Sequence, residues 1–201
     1  VSRAFFNRKA PVWDENHSEK DITRLKEMTE RLEIEPGATL LDVGSGTGII
    51  LPLLLGKIGK RGRLFALDFA EEMLKRARAK LPQGGVNYLQ ADVSAIPTRS
   101  GVFDIVVCYS SFPHFRDKPK ALSEMNRVTK DGGRLFICHT SSRTQINGFH
   151  GQIPTLEQDV IPDRGDMQRL LRDAGFSDIA IADGEASYLA CARKICRDKA
   201  R

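Results

Sequence analysis

The stretch Leu41 to Gly48 reads Leu-Asp-Val-Gly-Ser-Gly-Thr-Gly, a carboxylate standing two residues ahead of three alternating glycines. Gly44, Gly46 and Gly48 carry no Cβ, so a strand can turn sharply into a helix here and a ligand can lie against bare backbone. The spacing narrows the choice of ligand. A dinucleotide fingerprint needs glycine at its first, third and sixth positions, and the sixth position counted from Gly44 is Ile49. That residue argues against an oxidoreductase on a dinucleotide fold. No pyrophosphate has to be cradled, whereas a cationic ligand with an amino group would be welcomed by Asp42.

Further segments extend the pattern. Arg63 to Asp68 reads as a second strand ending in an acid, about twenty residues past Gly48. Val86 to Asp92 is a third strand closing on Asp92 and Val93, Phe103 to Tyr109 a fourth, and Lys130 to Ile137 a glycine turn into a fifth. With Leu40 to Leu54 as the first motif, the set resembles the class I S-adenosylmethionine (SAM) dependent methyltransferases, in their small-molecule and quinone-type branch, over roughly residues 36–139. The resemblance implies an α/β fold: a Rossmann-like, doubly wound, seven-stranded sheet, mostly parallel with an antiparallel edge strand. It implies SAM as cofactor and S-adenosylhomocysteine as its product; no metal-ligating residues are assigned, and use of a metal stays open. Carried over residue by residue, Gly44, Ser45, Gly46 and Gly48 pass under the methionine and ribose, with Asp42 beside them. Asp68 takes the ribose hydroxyls, Phe69 packs on the adenine, Asp92 and Val93 hold its edge, and Cys108 or Tyr109 lies near the methionine.

Methyl transfer from a sulfonium asks the protein mainly for in-line placement of the nucleophile and exclusion of water. A hydroxyl, thiol or enolisable carbon also needs a base, and histidine is best poised for that. His114 follows the fourth strand, His139 ends the fifth and His150 lies in the segment beyond it. His114 is the leading candidate, because the end of the fourth strand faces the transferred methyl in related enzymes. Methyltransferases of nucleic-acid amino groups carry Asp/Asn-Pro-Pro-aromatic at this point. Here the residues are Ser110, Ser111, Phe112 and Pro113, which argues against base N-methylation.

These residues need a scaffold. Strand-like runs at 38–43, 63–68, 86–90, 103–109 and 134–139 alternate with helix-like stretches at 48–58, 70–81 and 118–129, the pattern of a parallel sheet with helices on both faces. A helix at 163–173 and strands at about 178–183 and 186–193 follow, the last two forming an antiparallel addition at the sheet edge. Ahead of the sheet, Ile22, Leu25, Met28, Thr29 and Leu32 line one face of an amphipathic helix spanning 14–32. Residues 5–14 show no clear periodicity, and their aromatics Phe5, Phe6 and Trp13 either close the cofactor cleft or dock the terminus. Residues 140–161 read as a long polar connection that contributes to the substrate pocket.

The 201 residues are expected to form one methyltransferase domain: an N-terminal lid and helix at 1–35, a SAM-binding core at 36–139, and a substrate-side segment with the sheet edge at 140–201. With 41% hydrophobic and 28% charged residues the composition is that of an ordinary globular protein. No run is long enough to span a membrane and the first residues lack a signal-peptide core, so a cytoplasmic location without membrane contact is expected. The cysteines Cys108, Cys138, Cys191 and Cys196 include no C-x-x-C pair, and the first two read as core residues. The net charge of +5 gathers at Lys57 to Arg63, Lys75 to Lys80 and Arg193 to Arg201. No aromatic nucleic-acid motif accompanies it, so the partner is expected to be a small-molecule acceptor with an oxygen, carbon or sulfur centre, not nucleic acid. The alternative is a SAM-binding protein without transfer activity, a sensor or a partner of another protein such as a corrinoid protein. Monomer and homodimer are both open.

Overall fold

A computed structural model describes residues 2–15 and 21–196. In chain order the elements are α1 (Arg3–Lys9), α2 (Ile22–Arg31), β1 (Thr39–Val43), α3 (Leu51–Ile58), β2 (Arg63–Asp68), α4 (Glu71–Lys80), β3 (Val86–Gln90), β4 (Phe103–Tyr109), α5 (Lys118–Val128), β5 (Thr129–His139), α6 (Arg143–Gly151), α7 (Arg164–Asp173), β6 (Phe176–Asp183) and β7 (Tyr188–Lys194). The seven strands form one sheet in the order β3-β2-β1-β4-β5-β7-β6. β1 to β5 pair in parallel, and β7 runs antiparallel to both β5 and β6. The strand that reverses direction is therefore β7, inserted one place in from the edge formed by β6.

Every residue of β1 is buried, as befits an inner parallel strand covered on both faces. Its side chains alternate between two cores. Leu41, Val43 and Val106 face the core completed by Leu122 and Met125 of α5 and Met167 and Leu171 of α7. Leu40, Ile105 and Val107 face the core completed by Leu25 and Met28 of α2, Leu51 and Leu54 of α3 and Ala77 of α4. The order of winding reverses between β1 and β4, and in open α/β sheets ligands bind at the carboxyl ends of the strands around such a point.

The structure departs from the sequence expectations in four places. The expected 48–58 helix starts only at Leu51, because Gly48 has a φ of +77° and the chain turns through Ile50 before Pro52 opens the helix. β5 begins at Thr129 instead of 134. Phe103 pairs with Thr129 and Ile105 with Arg134, so the expected glycine turn, with Gly132 at φ +73°, is a bulge inside the strand. The 140–161 connection is not structureless: the nine residues of α6 lie within it, started by a capping box in which Ser142 Oγ accepts from the Gln145 amide and Gln145 Oε1 accepts from the Ser142 amide. The 5–14 stretch is partly helical in α1, with a 3-10 turn at Ala10–Val12. Of the expected 14–32 helix, Ile22–Arg31 is helical behind an Asp21 cap, and residues 16–20 lie outside the described residues. Among the described residues no helix is long and apolar enough to cross a membrane.

Two of the basic clusters form ion pairs along the surface: Lys57 with Glu30, Lys75 with Glu72, and Lys80 with Asp14. Arg193 pairs with Asp178, while residues 197–201 of the third cluster lie outside the described residues.

Candidate functional site

β1 delivers Asp42 and the glycine loop to the carboxyl edge of the sheet. Asp42 is 1% exposed, and neither carboxylate oxygen has a hydrogen-bond partner among the described residues. Burial, followed by repulsion from Asp68, pushes its pKa up to about 8. A buried carboxylate with both oxygens unsatisfied is costly unless a ligand supplies donors. Ser45 Oγ is also buried without a partner among the described residues. This is the chemistry that a bound amino-acid cation would satisfy, so the residues fit the methionine end of SAM.

The three glycines differ in what their missing Cβ atoms allow. A Cβ on Gly44 would sit 2.4 Å from Ser111 Cβ, and one on Gly48 would sit 2.8 Å from Leu51 and 2.9 Å from Ala77. Those two are bare so that protein can pack. A Cβ on Gly46 would meet nothing nearer than Trp13 Nε1 at 4.0 Å, so the space over Gly46 is the part of the loop open to a ligand.

β2 places Asp68 beside this loop. Its Oδ2 accepts from the Gly46 amide and its Oδ1 from the Ala70 amide, each at 2.8 Å. Burial raises its pKa to about 6 against the lowering effect of these bonds. A ribose would therefore share Asp68 with the backbone that Asp68 already braces. Phe69 lies under the N-terminal segment, with the Phe6 ring edge-on at 5.6 Å, and Phe6 and Ala10 pack with Ala70 and Met73 at the start of α4. Trp13 stands 5.6 Å from Phe6, and Thr47 Oγ1 donates to Asp14 at 2.7 Å. The aromatic segment thus docks on α4 and lies over the glycine loop at the same time.

The remaining cofactor expectations fall in varied settings. Asp92 is exposed and caps the turn Val93–Ala95, accepting from both the amide and the hydroxyl of Ser94. Val93 is 9% exposed and belongs to the core. Cys108 is fully buried, with Sγ 3.1 Å from Ser111 Oγ. Ser111 gives its proton to the carbonyl of Val43, so the thiol must donate to Ser111, and burial pushes the Cys108 pKa up to about 12. Tyr109 is buried, its hydroxyl 2.9 Å from Thr140 Oγ1. Next to it, Ser110 has a φ of +50°, rare for a residue with a Cβ, and its hydroxyl is buried without a partner among the described residues.

The histidines separate clearly. His139 is 1% exposed in β5, its ring 6.4 Å from that of Tyr188. His114 ends the 3-10 turn Phe112–His114, and its Nδ1 lies 2.7 Å from Asp159 Oδ2. His150 sits in the last turn of α6, its ring 5.0 Å from His114, and its Nδ1 bonds to the Asp159 carbonyl. Phe6 closes the other side of His114 at 5.3 Å. Burial holds the His114 pKa below its usual value, against the opposing pull of Asp159. Sequence reasoning missed Asp159, which no motif marks and which lies 45 residues along the chain from His114.

A cleft of about 460 Å³ opens beside this group, lined by Phe115, Arg116, Lys118, Pro154, Thr155, Glu157, Gln158 and Asp159. Another, of about 570 Å³, includes Pro36, Gly37, Asp104 and Gly132 near the amino ends of β1 and β4. It lies at the wrong end of the sheet for the chemistry above.

Known methyltransferases share this fold. The methyltransferase domain family matches residues 41–137. The ubiquinone/menaquinone biosynthesis C-methyltransferase of Klebsiella pneumoniae is 29% identical over 173 residues, covering 73% of this chain and 69% of its own. The fold matches a SAM-dependent methyltransferase from Aquifex aeolicus with a TM-score of 0.75 at 22% identity, over 94% of this chain and 98% of that one. It also matches a Haemonchus contortus phosphoethanolamine N-methyltransferase holding S-adenosylhomocysteine, with a TM-score of 0.71 at 16% identity, over 87% of this chain and 53% of that one. Together the comparisons support a SAM-dependent methyltransferase with SAM as its cofactor, similar to the methyltransferase domain family over residues 41–137 and to quinone-type C-methyltransferases.

Proposed function

We propose that this enzyme methylates a small-molecule acceptor at a carbon centre, using the whole of 1–201 as one methyltransferase domain. The observation that carries the reading is His114, an imidazole held below its usual pKa at the carboxyl end of β4 and facing, through Asp159, a cleft large enough for a small molecule. The carbon centre is supported by the quinone-biosynthesis C-methyltransferases among its relatives.

When bound, SAM supplies a methyl group already activated by its sulfonium. Asp42 and Ser45 hold the methionine end, Gly46 leaves room above the loop, and Asp68 with Phe69 receives ribose and adenine. Asp92 and Val93 complete the adenine side, and Cys108 and Tyr109 back the end of β4. Phe6 and Trp13 exclude water from above. His114 takes the hydroxyl proton of a hydroquinone-type acceptor, which raises electron density at the adjacent ring carbon. Bound SAM would supply its methyl group to that carbon and would leave with the sulfur electron pair as S-adenosylhomocysteine; the ring proton would pass to water as the aromatic system is restored, and His114 would return its proton to the acceptor oxygen. A histidine that burial holds below its usual pKa favours its neutral form, ready to accept.

The test is anaerobic incubation with SAM and 1,4-naphthohydroquinone, followed by mass spectrometry. Methylation at ring carbon is expected; methylation only at oxygen, or none, would remove the carbon assignment. His114→Ala should lower turnover by about two to four decades while leaving SAM affinity unchanged.

A further inference from the structure

Asp159 makes two contacts of different kinds with two different imidazoles. Its carboxylate meets Nδ1 of His114 at 2.7 Å, and its backbone carbonyl meets Nδ1 of His150. A carbonyl oxygen can only accept, so His150 must carry its proton on Nδ1. An ionised carboxylate likewise only accepts, which places the His114 proton on Nδ1 as well. The carboxyl of Asp159 is held below the usual range: burial, the largest single influence, would raise it, and the bond to His114 together with the charges of His114, the terminal amino group and Lys118 outweighs that effect. Both Nε2 atoms are then lone-pair bearers, and neither makes a hydrogen bond among the described residues.

The surroundings keep this arrangement tight. The side chains of His114 and Asp159 are only 14% and 13% exposed. The His114 ring is packed between Phe6 and His150. The charged and titratable groups acting on the pair are His150 of α6, His139 of β5, the terminal amino group, and Lys118 at the start of α5. Lys118 is committed to the carbonyls of Pro113 and Phe115, so it braces the turn that carries His114. Among the described residues no three His, Cys, Asp or Glu side chains are grouped as metal ligands, so the pair is read in terms of protons.

We propose that Asp159 is the positioning residue of the site: it locks His114 and His150 in the Nδ1–H tautomer, aims the His114 Nε2 lone pair at the acceptor, and stabilises the imidazolium formed when His114 takes a proton. The role in catalysis rests on His114 being the base; the tautomer lock does not. Asp159 also lines the cleft, so the residue that orients the base borders the space assigned to the acceptor.

The test is long-range proton–nitrogen NMR of the histidine rings in the full chain, titrated with pH, with His114→Gln and His150→Gln for assignment. In the unaltered protein both rings are expected to show protonated Nδ1 and lone-pair Nε2 when neutral. In Asp159→Asn the His114 midpoint should fall by roughly one to three pH units, while His150, bonded to the backbone, keeps its tautomer. Asp159→Glu should restore part of the shift. An Nε2–H tautomer for His114 in the unaltered protein, or an unmoved midpoint in Asp159→Asn, overturns the proposal. The unaltered protein answers the first question even if a variant fails to fold. Turnover of 1,4-naphthohydroquinone in Asp159→Asn should fall about 100-fold or more at pH 7, with the acid limb of its pH profile moved by the NMR shift. If the midpoint moves but turnover does not, while His114→Ala is inactive, the positioning role is overturned. If His114→Ala is fully active, the base assignment fails and the lock stands alone.

Discussion

Replacing Asp42 by asparagine should stabilise the ligand-free protein and weaken its hold on SAM. The carboxylate has a pKa of 3.8 when solvated and about 8 in the fold, with burial the larger cause and Asp68 the smaller. The folded state therefore binds this proton more tightly than the unfolded state, so the contribution of Asp42 is most favourable below pH 4 and is lost progressively as pH rises to 8. At pH 7 the difference amounts to about 4 kcal/mol, treated as an upper bound because the unfolded chain retains structure. Asparagine keeps the shape and never ionises, so this penalty disappears. For a chain of this size each kcal/mol moves Tm by about 2–4 °C, so Asp42→Asn should melt about 10 °C higher at pH 7.5 and nearly level with the parent at pH 4.

Binding runs the other way. The ammonium of SAM meets an ionised Asp42 in the parent and a neutral amide in the variant, a loss of about 1.5–3 kcal/mol, or one to two decades of affinity. Below pH 8 the parent must also release a proton as the cation binds, which calorimetry in two buffers of different ionisation heat would detect. Melting curves at pH 4 and 7.5, with and without SAM, read out both effects. An asparagine variant that melts lower than the parent at pH 7.5, or keeps the full SAM-induced shift, would refute the argument.

Other substitutions separate packing from binding. Gly46→Ala places a Cβ where only Trp13 is near, but at a φ of +53°, so it should cost about 1–2 kcal/mol in thermal melts and weaken SAM binding measured by calorimetry. Asp68→Ala leaves the Gly46 and Ala70 amides without their acceptor and removes the proposed ribose contact, so Tm should fall and SAM affinity drop by about one to two decades. Asp68→Asn retains an acceptor oxygen and should recover most of the stability but not the affinity.

Much of the sheet was legible because parallel strands covered on both faces read as short apolar runs. β2, β3 and β4 lie at the expected 63–68, 86–90 and 103–109. What sequence reading missed had local or distant causes. α1 buries only Phe6, so its seven residues leave no apolar stripe to find. α6 was readable in principle, since Ser142 followed three residues later by Gln145 is a capping-box signal, but the polar composition around it masked the helix. Nothing local marks Asp159. Its meeting with His114 and His150 depends on how α6 and the following connection fold back over the end of β4, which is tertiary information.

The glycine loop also joins the two halves of the site, through Gly44. Gly44 is bare because Ser111 occupies the place of its Cβ. Ser111 in turn donates to the Val43 carbonyl and accepts from Cys108, tying the end of β1 to the end of β4. Beyond it the chain passes directly into the Phe112–His114 turn, whose His114 amide bonds back to the Ser111 carbonyl. The position of the proposed base is thus referenced to the same loop that would hold the methionine end of SAM. In-line methyl transfer requires acceptor and sulfonium to be fixed relative to each other within a fraction of an ångström. A glycine that lets one strand end rest on its neighbour supplies that common reference.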